Sequence, residues 1–289
     1  MDSSAMARPR EARRDGSRPL QRTHVKSRRG THSRARGTTL SSGSELAHFR
    51  DSFACARDDA GAIRCWGSGL YGRLGDGTGM SHSTPMLVQG IPASVEVECG
   101  DHHACARLPG ATFCWGYNQG GQLGNGTMTN SFLPLRVAGT QSFTTLSAAG
   151  WNTCGSDTDG SWWCWGKNSS GEIGDGTRTN RTTPVRVVLP APVRSLRPGG
   201  TRTCALLTDG TVWCWGSGER GQIGNGMLGE GVPPSRVTAL SNIVELAVGG
   251  YFACALSDRA DISCWGWNDQ GQCGDGTVVD RPLPVRVQW

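Results

Sequence analysis

Several features are scarce in this 289-residue chain, and each absence removes a class of protein. No stretch approaches the ~18 consecutive apolar residues of a membrane helix, so a helical span is excluded. There is little Ala/Glu/Lys/Leu periodicity, which argues against a helical bundle. Glycine is abundant at 43 residues but follows no three-residue period, which excludes collagen. No glycine-rich loop ends in Gly-Lys-Ser/Thr, so no phosphate cradle of that kind is present. No Cys-X-X-Cys occurs, so the usual zinc spacing is missing. His102 and His103 adjoin Asp101, yet no Ser or Cys in a nucleophile-elbow context accompanies them; they read as loop or strand-end histidines. No catalytic residue, cofactor or metal is expected. With 36% hydrophobic residues, 11 tryptophans and many turn formers, the remaining class is all-β.

Charge is distributed unevenly. Residues 1–40 hold 11 Arg/Lys and three acids, a net of +8, while the rest of the chain holds 18 basic and 21 acidic residues, a net of −3. The basic segment has few apolar residues and no periodicity, so residues 1–43 are expected to form a disordered Arg/Ser-rich tail. It lacks the 7–15-residue apolar core of a signal peptide. The tail reads first as a solvated leader, or as a start placed too far upstream; the alternative is an Arg-rich arm, and contact with nucleic acid would come only through it.

Residues 44–289 are a repeat. Cys-Trp-Gly recurs at Cys65, Cys114, Cys164, Cys214 and Cys264, at spacings of 49, 50, 50 and 50. One period contains "TPVRV" from Thr183, "PVRSLRP" from Pro192, "TRTCALL" to Leu207, a "TDG" turn, "TVWCWG" to Gly216 and the loop "SGERGQIGNG". β-branched and aromatic runs between Gly, Pro, Asp and Asn predict four short strands per unit. Four-stranded antiparallel units at this period predict propeller blades. The first copy lacks a preceding "TPVRV" strand and the last ends on an extra "LPVRVQW". This predicts a five-bladed ring closed by pairing of the N- and C-terminal strands; a fragment of a larger ring is the rival reading.

The second residue after each Trp-Gly is Gly69, Asn118, Asn168, Gly218 or Asn268, which predicts a left-handed backbone position. Gly72, Gly121, Gly171, Gly221 and Gly271 follow three residues later. An aliphatic plug comes next (Leu74, Leu123, Ile173, Ile223), replaced by Cys273 in the fifth copy. The Asp-Gly and Asn-Gly pairs read as tight turns; a calcium role for Asp76, Asp175 and Asp275 is weakened by Asn125 and Asn225 in the other copies.

The stretch "CALLTDGTVWCWGSGERGQIGNG" resembles the repeat of the regulator of chromosome condensation family, especially its bacterial variant with a cysteine on each central strand. The resemblance covers residues 44–289 and implies blades radiating around a channel. The family often carries His two residues before the first cysteine; here that position is Phe53, His103, Asn152, Arg202 and Phe252. Members differ in function: one is an exchange factor for a small GTPase, another a secreted enzyme inhibitor. The fold therefore does not transfer an activity.

Ten cysteines form the pairs Cys55/Cys65, Cys105/Cys114, Cys154/Cys164, Cys204/Cys214 and Cys254/Cys264. A three-residue turn, Thr208–Gly210, sets Leu207 opposite Thr211 and hence Cys204 opposite Cys214. In the second copy the turn Pro109–Gly110 is one residue shorter, and Cys105 still faces Cys114. Facing strand residues lie within disulfide range, so five disulfides are expected, with reduced, hydrophobic cysteines as the alternative. Disulfides would place the chain in an oxidising compartment: periplasm, cell surface or exterior. The missing signal peptide is the argument for the cytoplasmic alternative, and the repeated cysteine register outweighs it. Cys99 and Cys273 are expected to be buried and unbridged.

Three functions remain. The first is a non-catalytic protein-interaction scaffold, expected to be monomeric, with a protein partner. The second is an intracellular regulator resembling the exchange factor, and the third a propeller enzyme. The side chains after each Trp-Gly differ in every copy while the glycine frame stays constant, as on a binding face. Tyr71, Tyr117, Lys167, Arg220 and Trp267 are the expected partner-contacting residues, because aromatic and arginine side chains dominate interface energetics.

Overall fold

A computed structural model describes residues 45–46 and 52–289. The expected tail lies outside the described residues. No helix among them is long and apolar enough to cross a membrane.

Twenty strands form five four-stranded antiparallel sheets, each built from consecutive strands. Blade 1 holds β1 (Glu45–Leu46), β2 (Phe53–Arg57), β3 (Ile63–Gly67) and β4 (His82–Leu87). Blade 2 holds β5 (Glu96–Cys99), β6 (His103–Leu108), β7 (Ala111–Gly116) and β8 (Ser131–Arg136). Blade 3 holds β9 (Phe143–Ala149), β10 (Asn152–Asp157), β11 (Trp162–Gly166) and β12 (Arg181–Val187). Blade 4 holds β13 (Val193–Pro198), β14 (Arg202–Leu207), β15 (Val212–Gly216) and β16 (Val232–Arg236). Blade 5 holds β17 (Ile243–Val248), β18 (Phe252–Ser257), β19 (Ile262–Gly266) and β20 (Arg281–Arg286). Neighbouring blades meet through their inner strands: β5 packs on β2, the second strand of blade 1, and on β9, and β13 packs on β9 and β17.

The cysteine register is as the turns dictate. Cys204 faces Cys214 across β14 and β15, and Cys105 faces Cys114 across β6 and β7 despite the shorter turn. The structure joins all five pairs as disulfides, with Cα atoms 4.0–4.1 Å apart. Gly210 and Gly110 hold positive φ (77° and 76°), which lets turns of different length return the strand to the same register. Cys99 and Cys273 are buried outside these pairs.

The phase of the repeat differs from the sequence expectation. "TPVRV" does not open a unit. It lies in β12, where Val185 pairs with Cys164, and so closes its own blade at the outer edge. The loop after each Trp-Gly returns the chain to the strand it has just left. Hence blade 1 already owns an outer strand, β4, and "LPVRVQW" enters β20, which pairs with β19. Pairing of the two chain ends within one blade is not found among the described residues.

The core lies between blades. Leu74 and Val88 of blade 1 form one buried cluster with Val97, Ala104 and Trp115 of blade 2. Each junction centres on a tryptophan. Trp115, Trp165, Trp215 and Trp265 are completely buried. Their Nε1–H groups donate to backbone carbonyls of the preceding blade: Arg73 (3.0 Å), Gln122 (2.8 Å), Glu172 (2.9 Å) and Gln222 (3.1 Å). Gly75, Gly124, Gly174 and Gly224 lie against these indoles, and a Cβ there would come within 2.6–2.8 Å of Nε1.

Two outcomes follow from this packing. Trp215→Ala is expected to destabilise the fold by about 3–5 kcal/mol and Trp215→Phe by about 1 kcal/mol, measured by denaturant titration. Peptide mapping without reductant is expected to return five cross-linked pairs. Each closes a short loop and contributes about 2–3 kcal/mol, so melting temperature should fall on reduction.

Candidate binding face

The loops after Trp-Gly sit at the same end of the blades as the turns entering each second strand. Backbone hydrogen bonds tie the two together in every copy. Ser68, Tyr117, Lys167, Ser217 and Trp267 donate their N–H to the carbonyls of Ser52, His102, Trp151, Thr201 and Tyr251. Five pairs of side chains are thereby fixed side by side.

The loop frame works differently from the sequence expectation. Asn118, Asn168 and Asn268 are not among the positive-φ residues, and Gly69 has φ −90°. The asparagine is kept for its side chain. Asn118 Nδ2 donates to the Thr127 and Thr129 carbonyls, and its Oδ1 accepts from Leu123 N at 2.9 Å. Asn168 and Asn268 repeat this clamp. In blade 1 the loop collapses onto Gly69 instead, where a Cβ would lie 1.8 Å from the Met80 carbonyl oxygen. The acidic row performs turn chemistry: Asp76, Asp175 and Asp275 each accept from the backbone N–H two residues on.

A glutamine behind the loop anchors it in three copies; Gln122 Oε1 accepts from Gly120 N at 2.8 Å. Glu172 takes the same place and accepts from Ser170 N at 2.8 Å. Burial pushes its carboxyl above the usual range, toward the neutral form that most resembles glutamine.

The expected contact residues fall into two clusters. Tyr71 and Tyr117 lie 4.9 Å apart between ring centroids, and Tyr117 is edge-on to Trp151 at 5.2 Å. His102 packs edge-on against Trp151 at 5.3 Å, and Lys167 Nζ lies 5.6 Å from the Trp151 ring centroid. Blades 1, 2 and 3 thus contribute to one aromatic surface capped by a cation. In the second cluster the Arg220 guanidinium lies 5.0 Å over Trp267, which meets Tyr251 edge-on at 5.0 Å. These three residues help line a cleft of about 290 Å³ with Thr201, Ser217 and Gln222. The Trp267 Nε1 is buried and has no hydrogen-bond partner among the described residues. Arg220 also pairs with Asp280 at 3.3 Å.

His102, Trp151 and Tyr251 were missing from the sequence-based set. Their signal was present: the residue three before the first cysteine is Ser52, His102, Trp151, Thr201 or Tyr251, as variable as the loop residue it accompanies.

The fold and this face define a propeller-blade repeat protein with variable loop clusters. Models of the Regulator of chromosome condensation (RCC1) repeat match residues 61–107, 109–155, 159–206, 209–256 and 263–289, and the chain belongs to that family. A second model of the repeat matches 243–272. No curated protein matches the chain in sequence. The crystal structure of human WBSCR16 is similar, with a TM-score of 0.73 and 20% identity over 88% of this chain and 70% of that one. Yeast RCC1 (Prp20) bound to Kap60 gives 0.72 and 20%, over 84% of this chain and 63% of that one. Prp20p of Saccharomyces cerevisiae, described with its binding to Gsp1p and histones, gives 0.71 and 20%, over 84% and 64%. The chain spans less than two thirds of both yeast proteins.

His103, beside the first cluster, carries an acid-sensitivity prediction. It is buried, and its Nε2 lies 2.7 Å from Thr153 Oγ1. Burial, with the neighbouring His102 charge, pushes its pKa down to about 3. An unfolded histidine takes up its proton near pH ~6.5, so between these values acid favours the unfolded chain. Melting temperature is expected to fall from pH 7 to pH 4. His103→Asn, which installs the residue of blade 3 at this position, is expected to make that fall shallower.

Proposed function

We propose that this chain is a non-catalytic protein-interaction scaffold that works outside the cytoplasm. A protein partner seats on the loop end of the blades. The observation that carries this reading is the pair of aromatic–cationic clusters at the positions that vary between copies, held on a backbone frame that does not vary. A rigid frame lowers the ordering cost of binding. Half-buried aromatic rings and arginine supply the anchors that interfaces use most. The five disulfides support an oxidising compartment.

A second reading, an intracellular regulator of the exchange-factor kind, draws on the similarity to yeast Prp20. It requires reduced cysteines in the working protein, so the thiol state of the native chain separates the two readings.

Tyr71→Ala, Tyr117→Ala and Trp267→Ala combined are expected to abolish partner capture in pull-downs while leaving the melting curve close to wild type. Removal of residues 1–43 is expected to leave capture intact. Capture that survives the triple change and disappears with the tail would assign binding to the tail.

A further inference from the structure

The loop of blade 4 is built differently from the other four. In blades 1, 2, 3 and 5 the side chain twelve residues beyond the clamp position, Ser81, Asn130, Asn180 or Asp280, accepts from the N–H of Gly69, Asn118, Asn168 or Asn268. In blade 4 the Gly218 N–H donates instead to the Gly229 carbonyl at 2.7 Å. Glu230 holds the corresponding place, is released from the loop, and pairs with Arg178 of blade 3 at 3.0 Å. The loop-end pair of this blade is also small, Ser217 with Thr201, whereas blade 5 beside it carries Trp267 with Tyr251.

Small residues beside large ones leave the cleft of about 290 Å³ between blades 4 and 5. Its walls offer hydrogen-bonding groups of both kinds. Thr201 and Ser217 bring hydroxyls, Glu219 and Glu230 carboxylates, and Arg220 a guanidinium. Tyr251 is 48% exposed and stands edge-on to Trp267. The Trp267 Nε1–H lacks an acceptor among the described residues, and a buried N–H in that state costs free energy until something accepts from it. Arg220, which lies over the indole, is half exposed and held only by Asp280 at 3.3 Å.

We propose that this cleft binds one pyranose ring of a neutral sugar. The charges disfavour simpler ligands: Glu219 and Glu230 oppose an anion, while Arg220 and the unmatched indole N–H oppose a cation. A neutral ligand must then offer donors and acceptors on all sides within a small volume. A ring of hydroxyls does so, because each brings one O–H and two lone pairs. The hydroxyls donate to Glu219 and Glu230. They accept from Arg220 and, as that side chain swings off the ring, from the Trp267 N–H. The C–H face of the sugar lies on Tyr251, whose negative π-face attracts it. The volume stands at the low end of the ~300–1,000 Å³ of small-molecule sites, which suits a single ring rather than a length of peptide. This site goes beyond protein capture at the loop end and does not depend on it.

Titration of the full chain with glucose, galactose, mannose and N-acetylglucosamine, followed by saturation-transfer NMR, tests this. At least one of these sugars is expected to bind saturably with a Kd of about 1 mM, as suits one ring on an open cleft. Tyr251→Ala and Glu219→Ala, both at exposed positions, are each expected to weaken binding about tenfold with an unchanged melting curve. Tyr71→Ala with Tyr117→Ala, in the other aromatic cluster, is expected to leave sugar binding unchanged, so loss of partner capture and loss of sugar binding are read separately. If Tyr251→Ala fails to fold, Glu219→Ala decides alone. Absence of saturable binding for all of these sugars overturns the proposal. So does binding that either folded variant keeps at wild-type strength, which marks an adventitious contact. Acetate or methylammonium that binds more tightly than any of the sugars, and is lost in the same variants, makes the cleft an ionic site and overturns the proposal equally.

Discussion

The indole–carbonyl junction between blades is the constraint on which the rest depends. A tryptophan buried to zero exposure must have its N–H satisfied, and no side chain does this here. The acceptor is the carbonyl of the residue after the glycine that recurs in every loop: Arg73, Gln122, Glu172 or Gln222. That carbonyl faces the neighbour only if the loop holds one shape. Positive φ at the preceding glycine, φ 79–87° at Gly72, Gly121, Gly171 and Gly221, gives that shape. The asparagine clamp keeps it. A loop that resembles a surface connection is therefore part of the core, and its backbone cannot drift even where its side chains are exposed.

This division of labour explains how the side chains of the loop end can vary freely. The bonds that hold the loop use backbone groups, the clamping asparagine and the glutamine behind it. The first loop side chain adds only local contacts, Ser68 Oγ accepting from Leu70 N at 3.5 Å and Tyr117 Oη donating to Gln119 at 2.9 Å, and the bond between Tyr117 N and the His102 carbonyl forms whatever the two residues are. Blades 1 and 4 place Ser or Thr at both positions, whereas blades 2, 3 and 5 place aromatic or cationic groups there. Changing them costs the fold little and changes the surface completely.

What could be read from residues alone follows the range of the interactions. The cysteine register was legible because a hairpin is local: counting outward from a turn locates each partner within about ten residues. The phase of the repeat was not. A periodic string has no intrinsic beginning, and "TPVRV" can pair equally well on paper with the hairpin before it or after it. The asparagine was misread because Gly69 and Gly218 at the same position suggested a shared backbone need. In fact the two residue types solve one problem differently, by clamping the loop or by letting it close in. His102, Trp151 and Tyr251 were overlooked because loops were compared one copy at a time. Tyr71 meets Tyr117 and Tyr117 meets Trp151 only when adjacent blades are side by side.

The cysteines that are not in disulfides bear on the compartment as much as the ten that are. In an oxidising environment a reactive thiol exchanges with nearby disulfides, and its reactivity follows its thiolate fraction. Cys273 fills the plug position that holds Leu123 in blade 2, and it is buried. Burial pushes its thiol up to about 11, with the Asp275 charge adding to the effect. At neutral pH such a thiol is almost entirely protonated and a poor nucleophile. Cys99 is likewise wholly buried, in the cluster between blades 1 and 2. Both sit where the packing wants a small apolar side chain, and neither presents an accessible thiolate. Five hairpin disulfides can therefore persist beside two further cysteines without exchange, which is the arrangement a protein exposed to oxidant requires.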